Sequence, residues 1–347
     1  MRIGLVGCGA VARKGHLPAL RRMGNVELCA VADIDLDLAG KTAKRNGAKK
    51  CFADYRELLK EDCVDIVDIC VPSHLHAQVA IDSANAGKHI LVEKPMTVTA
   101  REAQSVLDAV SKNKVKLCVV QNYRYVPALR EAKRTVLSGR LGRLVSIAGC
   151  THTPIPLQWT DSTWLYGHGG ALYDWGPHLV DAICWLADSR VKKVSAFGGD
   201  FLGNMKCINH VQVLMEFENK AVCSASVGWL TALSLQLDIH GTAGSAKVDF
   251  RFSNFLDYYG FLDPLQEAKN SLRKLFNSSR EAVSSSLFQG AMGFYAELIS
   301  DFVKSIEKNT KAPTTGEEAL EVVTALEAAK LSLEENRVVN AKELQTT

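Results

Sequence analysis

The stretch Glu93-Lys94-Pro95 combines residue types that suggest chemistry rather than surface charge. It follows the apolar run at residues 89–92, which ends at a turn signal and therefore predicts a buried strand. In open parallel α/β sheets, ligands bind at the carboxyl ends of the strands, so Lys94 would stand at a ligand-binding edge. Pro95 fixes the turn that follows. We therefore expect Lys94 to be a catalytic group.

Asp174 and His178 form the second candidate group, in the glycine-rich block at residues 169–181. In a helix, residues four apart share a face, so a carboxylate and an imidazole at this spacing can point into one cleft. Pro177 between them either lies in the first turn of the helix or kinks a longer helix. The alternative is that Asp174 caps the helix and that His178 is an ordinary interfacial histidine.

A glycine loop opens the chain directly after the short apolar strand at residues 3–6. Gly7 permits a tight turn, and Gly9 removes a Cβ where a pyrophosphate must approach the backbone amides at a helix N-terminus. Ala12 takes the place of the third glycine in the dinucleotide fingerprint, where only a small residue is needed. The predicted phosphate-binding residues are Gly7, Gly9, Ala10 and Val11.

Asp33 ends the next apolar run, at residues 26–32, and makes the glycine loop a much more specific signal. A carboxylate at this strand end can accept hydrogen bonds from the adenosine ribose and would repel a 2′-phosphate, which favours NAD over NADP. NADP stays possible, because Arg13-Lys14 beyond the loop could attract a phosphate. Capping of the following helix is the alternative role, and Asp35 could share it.

Strands and helices alternate over the first 121 residues, which predicts a doubly wound parallel sheet covered on both faces. Ser73 and His76 follow the strand predicted at residues 64–71, at the same edge as Lys94. His76 either caps its helix or contacts the cofactor. We count Ser73, His76, Glu93 and Lys94 among the predicted cofactor contacts. The predicted helices cover residues 36–46, 55–59, 74–86 and 100–112, and the last strand covers residues 115–121.

The pattern changes after residue 121. Successive strand-like runs between residues 144 and 250 have turn signals between them and no helical crossover, which favours an antiparallel sheet. Two amphipathic helices, at residues 294–306 and 317–335, finish the chain. We therefore predict an α/β protein with a Rossmann domain at residues 1–121 and an α+β domain at residues 122–347.

The composition excludes several functional classes. Lys and Arg exceed Asp and Glu by 41 minus 38 residues, without blocks of one sign, so neither nucleic acid nor a membrane is an expected partner. The ten cysteines are scattered without a Cys-x-x-Cys pair, which favours reduced buried thiols over disulfides or a metal site. The chain runs from Met1-Arg2 straight into a strand pattern, so we expect no signal peptide and a cytoplasmic location.

Several of these motifs together resemble the Gfo/Idh/MocA oxidoreductases, the glucose-fructose oxidoreductase and inositol dehydrogenase family. The resemblance covers nearly the whole chain, and its most specific parts are the Glu-Lys-Pro strand end and the Asp-x-Gly-x-His block. In one departure, Ser73 stands where many members carry Asn. The matching residues are the glycine loop, His16-Leu17-Pro18-Ala19-Leu20, Asp33, His76, Ala86-Gly87-Lys88-His89, Glu93-Lys94-Pro95, Asn122-Tyr123-Arg124-Tyr125 and residues 169–181.

The resemblance implies a Rossmann domain followed by an α+β domain with a large, mostly antiparallel open sheet, whose outer face forms homodimers or homotetramers. It further implies that Lys94, Asp174 and His178 line the catalytic site. The candidate substrate contacts are Tyr123, Arg124 and Trp164. Trp164 precedes the predicted catalytic helix and would form an aromatic wall for a sugar ring, with core packing as the alternative.

The expected reaction is reversible oxidation of a secondary alcohol on a sugar, sugar derivative or cyclitol, with NAD taking the hydride. His178 would be the general base, Asp174 would orient it, and Lys94 would stabilise charge on the substrate oxygen. Lys94 could itself be the base if burial and Arg124 favour its neutral form. An NAD-dependent glycoside hydrolase with an internal redox cycle and a non-catalytic dinucleotide sensor remain alternatives. No residue identifies the substrate.

Overall fold

A computed structural model gives the protein's structure over residues 1–154, 169–203, 207–229, 234–250, 254–259, 268, 272 and 287–344. By its internal contacts the chain forms two compact units. The first comprises Met1–Asn122 and Ala291–Val323, and the second comprises Tyr123–Gly290 and Thr324–Thr347.

A six-stranded parallel sheet forms the centre of the first unit, in the order β3-β2-β1-β4-β5-β6. The strand order reverses between β1 and β4, which is the position where doubly wound sheets bind ligands at the carboxyl ends of their strands. The strands are β1 (Arg2–Val6), β2 (Glu27–Ala32), β3 (Lys50–Phe52), β4 (Ile66–Ile69), β5 (His89–Val92) and β6 (Leu117–Val119). The helices between them are α1 (Leu17–Arg21), α2 (Leu36–Asn46), α3 (Tyr55–Leu59), α4 (His76–Asn85) and α5 (Ala100–Asn113).

Burial explains why these segments are strands. β4 is buried at every residue, and β1 and β5 are buried at all but their first residue, as expected for a parallel sheet covered on both faces. The doubly wound parallel sheet predicted from the sequence is confirmed. β3 is missing from that prediction, because it has only three residues and two of them are exposed.

The second unit contains an eight-stranded sheet in the order β13-β12-β11-β7-β10-β9-β8-β14. Its neighbours are antiparallel except β7 and β10, which run parallel, so the prediction of a mostly antiparallel sheet is confirmed. The strands are β7 (Leu144–His152), β8 (Val191–Gly199), β9 (His210–Phe217), β10 (Val222–Gly228), β11 (Ser234–Gly241), β12 (Gly244–Asp249), β13 (Asn254–Tyr259) and β14 (Val339–Asn340). Helices α6 (Pro127–Leu137), α7 (Ala171–Asp174) and α8 (Gly176–Ala187) belong to the same unit.

Two long helices, α9 (Leu287–Glu307) and α10 (Gly316–Glu335), follow β13. The segment Ala291–Val323, which the sequence analysis assigns to the second domain, packs into the first unit. Ala319 and Val323 belong to the apolar core of the parallel sheet. An amphipathic pattern shows that a helix has an apolar face, but it does not show which sheet that face covers.

Two further findings concern the chain as a whole. Each of the ten cysteines, all of which lie in the described ranges, is a thiol rather than half of a disulfide. Within the described part of the chain, no helix combines the length and the apolar character needed to cross a bilayer.

Candidate active site

The glycine loop follows β1 at the carboxyl edge of the parallel sheet. Gly7 has a φ of 94°, and a Cβ at this position would lie 2.6 Å from the carbonyl oxygen of Cys70. Only glycine therefore fits the turn. A Cβ on Gly9 would meet no atom of the described residues within 4 Å, so the loop has an open face at that position. This combination suits a phosphate group that approaches the backbone amides.

Asp33 follows β2 and closes the loop from the neighbouring strand. Its Oδ2 accepts a hydrogen bond from the backbone N–H of Cys8 at 2.7 Å, and its Oδ1 accepts one from Asp35 N at 3.0 Å. The cap of α2 is Asp35, whose Oδ1 accepts from Leu38 N at 3.0 Å. Helix capping, the alternative role for Asp33, therefore belongs to Asp35.

The helix after the loop begins with a π-turn, Ala12–His16, before α1 continues it. The turn places His16 in the interior, with 0% of the residue exposed. Its Nδ1 lies 2.9 Å from Asp68 Oδ2, on β4, and its Nε2 lies 2.9 Å from Glu93 Oε1, at the end of β5. π-turns inside helices often occur at functional sites.

The charges around His16 decide its protonation state. Burial alone would lower the pKa of the imidazole, but the charge of Asp68 and the hydrogen bonds to Asp68 and Cys70 outweigh this effect. The pKa of His16 is therefore well above its usual value of 6.5. Burial would raise the pKa of Glu93, whereas the hydrogen bond and charge of His16 lower it to below its usual value. Both shifts favour the charged forms, an imidazolium at His16 and a carboxylate at Glu93.

Glu93 links this buried histidine to the backbone of Lys94. Its Oε2 accepts a hydrogen bond from Lys94 N at 3.1 Å, and the hydroxyl of Tyr295 donates to its Oε1 at 3.2 Å. Tyr295 lies in α9 and reaches the site because residue 15 is glycine: a Cβ on Gly15 would lie 2.9 Å from the tyrosine ring. The predicted cofactor contact Glu93 is 6% exposed and directed into this network.

His76 holds the other end of the same turn. Its Nδ1 lies 2.8 Å from the carbonyl oxygen of Pro95, and its Nε2 lies 2.9 Å from that of Val71. Burial lowers the pKa of His76, so the neutral ring donates to one of these oxygens. Both nitrogens face the backbone, and the residue is 1% exposed. Ser73, in the 3₁₀ turn Ser73–Leu75, is also buried, at 4% exposure.

Asp174 and His178 lie on two short consecutive helices rather than on one. Asp174 ends α7, Trp175 follows, and His178 is the third residue of α8. Pro177 lies in the first turn of α8, where its missing N–H costs nothing, so the kinked-helix alternative does not apply. The N-cap residue of α8 is Trp175, which makes no side-chain capping bond, and Asp174 Oδ2 accepts a hydrogen bond from the indole Nε1 of Trp229 at 3.2 Å.

An aromatic stack supports His178. The ring of Tyr123 is stacked on the imidazole, with centroids 4.5 Å apart and an angle of 19° between the planes. Tyr123 is also stacked on Phe250, at 5.6 Å and 26°. Burial, and then the charge of Asp174, raise the pKa of the Tyr123 hydroxyl, so it remains a phenol.

Arg124, a predicted substrate contact, forms a buried bidentate ion pair with Asp181. Its Nε lies 2.9 Å from Oδ2 and its Nη2 lies 2.7 Å from Oδ1 of the carboxylate, and the two side chains are 5% and 1% exposed. The guanidinium also lies 5.5 Å from the ring centre of Trp185. The pair ties the 3₁₀ turn Asn122–Tyr125 to α8 and so fixes Tyr123 beside His178. The substrate contact of Arg124 stays a prediction.

Several outcomes of the site predictions can now be stated. Trp164 lies outside the described residues. The sequence analysis missed the roles of His16, Asp68 and Trp229, although His16 stands in the family motif His16-Leu17-Pro18. Its position one helical turn beyond the glycine loop, between apolar residues, was the available signal for burial.

Two family models match the chain. Residues 1–121 match the oxidoreductase family model with an NAD-binding Rossmann fold, and residues 129–247 match the GFO/IDH/MocA C-terminal domain. Together the two matches span most of the chain and follow one another in the family's order. The family resemblance identified from the sequence is confirmed.

Two curated relatives are dehydrogenases. The chain is 30% identical to levoglucosan dehydrogenase of Pseudarthrobacter phenanthrenivorans over 63% of this chain and 64% of that protein. It is 24% identical to myo-inositol 2-dehydrogenase of Thermotoga maritima over 99% of both chains. Among solved structures, the WlbA dehydrogenase of Chromobacterium violaceum, in complex with NADH and UDP-GlcNAcA, is 26% identical with a TM-score of 0.82, and the match covers 98% of this chain and 95% of that one.

Proposed function

The chain belongs to the Gfo/Idh/MocA oxidoreductase family, and we propose from that premise that it oxidises a secondary alcohol of a sugar, sugar derivative or cyclitol with NAD. The observation that carries the proposal is the carboxyl edge of the parallel sheet. An open glycine loop follows β1, the carboxylate of Asp33 follows β2, and Lys94 follows β5. The named relatives act on a carbohydrate and a cyclitol. Both compounds carry secondary alcohols, the group that we propose this chain oxidises.

The residues present fit a bound dinucleotide. The open face at Gly9 leaves room for a pyrophosphate on the amides of Ala10 and Val11, and the close approach of Gly7 to Cys70 holds the loop in place. Asp33 would accept hydrogen bonds from the adenosine ribose and repel a 2′-phosphate, so NAD is the proposed cofactor. When bound, NAD supplies the acceptor for the hydride.

We propose that the turn that carries Lys94 holds the lysine in position through hydrogen bonds to its backbone. Glu93 holds the amide of Lys94, and His76 faces the carbonyl of Pro95, so both sides of the lysine are anchored. We assign Glu93 and His76 to positioning rather than to direct cofactor contact. Lys94 donates a hydrogen bond to the substrate oxygen and stabilises the negative charge that grows there.

Proton transfer is assigned to His178. An imidazole is well suited to take the hydroxyl proton at neutral pH. Asp174 orients the imidazole and shares the proton, and the indole N–H of Trp229 holds the carboxylate in place. The stack on Tyr123 fixes the plane of the ring. Tyr123 is therefore proposed to act through His178, while its hydroxyl remains a candidate substrate contact.

The second sheet is proposed to pair two copies of the chain. One face of β7 packs on α8, because a Cβ on Gly149 would lie 2.7 Å from Leu179. Ala148, Phe197, Leu214 and Val222 are exposed, with the last three 77%, 51% and 45% exposed. These four exposed apolar side chains on one sheet are the reason that we propose it as the interface between copies. A monomer in light scattering would contradict the pairing.

NADH formation tests the proposed function. The pure protein is mixed with NAD, and separately with NADP, and a panel of aldoses, sugar acids, inositols and nucleotide sugars. We expect absorbance of reduced cofactor with one substrate class and with NAD. Lys94→Ala should lower turnover by about 10²-fold or more while NAD affinity stays nearly unchanged. Product formation without net NADH would instead indicate the internal-redox glycosidase, and silence with tightly bound NAD would indicate a sensor.

A further inference from the structure

His16 is a buried charged group to which the proposed mechanism gives no role. Each of its ring nitrogens lies 2.9 Å from a carboxylate oxygen, Nδ1 from Asp68 and Nε2 from Glu93. A neutral imidazole carries one N–H and would leave one of these contacts without a proton. An imidazolium donates to both carboxylates, and such charge-assisted hydrogen bonds are stronger than neutral ones. The geometry therefore requires the ring to be charged if both acids are ionised.

The other groups that face His16 are donors or stay neutral. Directly after β4, the thiol of Cys70 lies 3.8 Å from Asp68 Oδ1. Burial and the charge of Asp68 raise the pKa of this thiol far above its usual value. From α9, the ring of Tyr295 lies 4.9 Å from the imidazole, and burial and then Glu93 raise the pKa of its hydroxyl. The thiol and the phenol thus keep their protons. The charged groups here are Asp68, Glu93, His16 and, past Glu93, Lys94.

One carboxylate connects this cluster to the catalytic turn. Glu93 contacts His16 through Oε1 and the backbone N–H of Lys94 through Oε2. A rotation of the Glu93 side chain would break both contacts together. A continuous chain of hydrogen bonds therefore connects Asp68, through His16 and Glu93, to the backbone amide of Lys94. All four residues lie in the first unit.

We propose that His16 is a positioning residue of the dehydrogenase: as an imidazolium shared by Asp68 and Glu93, it fixes the Glu93 carboxylate and, through it, the backbone that presents Lys94. This inference rests on the proposed function for the role of Lys94. Misplacement of a catalytic group by about 1 Å can cost about 10²-fold in rate, so an effect of this size is expected in kcat. We expect NAD binding at the glycine loop to be unaffected, because that loop is held by Gly7 and Asp33 rather than by these contacts.

A metal ion is the competing occupant. The ligand atoms of His16, Asp68 and Cys70 lie within 4.8 Å of one another, which is the chemistry of a small metal site. However, the distance of 2.9 Å between Nδ1 and Oδ2 is an ordinary hydrogen-bond length, and a second carboxylate occupies the other nitrogen. We therefore assign two hydrogen bonds, and elemental analysis of the purified protein decides between the readings.

Two variants distinguish the position of the Glu93 carboxylate from the charge of the His16 ring. His16→Gln can donate to only one of the two carboxylates, so it should release Glu93 and lower kcat by about 10²-fold. In Asp68→Asn, the new amide can donate to Nδ1 while Nε2–H still donates to Glu93. Asp68→Asn should therefore keep most of kcat although the ring is neutral. NAD dissociation constants should match the wild type in both variants.

His89→Gln is the matched control. His89 lies at the amino end of β5, away from the catalytic edge, and accepts a hydrogen bond from Lys116 N at 3.0 Å through Nδ1. It is a partly buried histidine on the strand that leads to Glu93. Its replacement therefore tests the general effect of removing an imidazole near this turn. We expect its kcat to equal that of the wild type.

A readout independent of turnover uses protein labelled with ¹⁵N-histidine. At a pH of about 8, one histidine of the wild type should show two protonated ring nitrogens, because an unperturbed imidazole is neutral there. This signal should be absent from His16→Gln and should be replaced by that of a neutral ring in Asp68→Asn. The measurement needs no substrate, so it remains decisive even if the panel assay shows that the chain is not a dehydrogenase.

Three results would overturn the inference. The first is a folded His16→Gln protein with wild-type kcat. The second is a neutral His16 signal in the wild type at this pH. The third is a stoichiometric metal ion that is lost from the His16→Gln protein. If His16→Gln does not fold, the ring-nitrogen signals decide: a wild-type spectrum at this pH without a doubly protonated histidine, or one that is unchanged in Asp68→Asn, would contradict the inference.

Discussion

Tyr123 lies flat against His178, with ring centroids 4.5 Å apart and planes inclined by 19°. The imidazole that we propose as general base is thereby held in one plane. Two neighbouring residues, Arg124 and Asp181, form a buried bidentate pair between the same two elements. The proposed base is therefore supported by the aromatic stack, and the ion pair anchors the turn that carries Tyr123.

The aromatic contact predicts different results for two substitutions of Tyr123. Tyr123→Phe keeps the stack and loses only the hydroxyl, so kcat should change little. Tyr123→Ala removes the ring and leaves the imidazole free to rotate, so kcat should fall by about 10²-fold. Steady-state kinetics with the substrate from the panel gives both values. Equal losses in the two variants would show that the hydroxyl, rather than the stack, is the important part.

The ionic contact predicts a loss of stability for Arg124→Leu. The substitution removes the guanidinium that pairs with the buried Asp181 carboxylate, and breaking a buried ion pair typically costs about 3–5 kcal/mol. Denaturant unfolding measures the cost. The control is Arg134→Leu, because the pair of Arg134 with Glu131 has side chains that are 69% and 37% exposed and should contribute no more than about 1 kcal/mol. A stable Arg124→Leu protein with a raised KM would instead favour the predicted substrate contact.

Asp33 and Asp35 provide a matched pair of variants at the cofactor site. Asp33→Asn removes the charge proposed to bind the ribose, and a hydrogen bond to a charged group contributes about 1.5–3 kcal/mol, so the NAD dissociation constant should rise by about 10-fold or more. The preference for NAD over NADP should fall as well. Asn is as good a cap as Asp, so Asp35→Asn should leave both unchanged. Equal effects in fluorescence titrations of the two variants would contradict the assignment.

His16 also predicts how stability depends on pH. Its pKa in the folded state is raised well above 6.5, so its contribution is fully present below pH 6.5 and is lost as pH rises through the folded-state pKa. Glu93 acts in the opposite direction, because its lowered pKa gives stability that is lost only as pH falls below 4.5. Between pH 6.5 and about 8.5, the wild-type Tm should therefore fall more steeply than that of Asp68→Asn. Parallel curves would contradict a charged His16.

Much of the fold was predictable because its signals are local. The glycine loop, the strand ends and the long apolar runs of β1, β4 and β5 each follow from short stretches of sequence. The position of Ala291–Val323 in the first unit was not predictable. It depends on contacts such as Val119 N with the carbonyl oxygen of Thr314, which join residues almost 200 positions apart.

The candidate site shows the same division. Lys94 and the block that holds Asp174 and His178 were visible because each motif is contiguous, but the expected single helix is two helices. The partners of these residues were not, since Trp229, Asp68 and Tyr295 are brought in by the fold from distant segments. The pair of Arg124 with Asp181 was not visible for the same reason, and the substrate contact of Arg124 stays a prediction.

Hydride transfer itself is best tested with deuterium. The panel substrate is prepared with deuterium on the carbon that is oxidised, the wild-type protein is mixed with it and NAD, and the reduced cofactor is examined by mass spectrometry. The account predicts that the reduced cofactor carries one deuterium and that the product is the corresponding carbonyl compound. Reduced cofactor without deuterium, or product formed without any reduced cofactor, would contradict it.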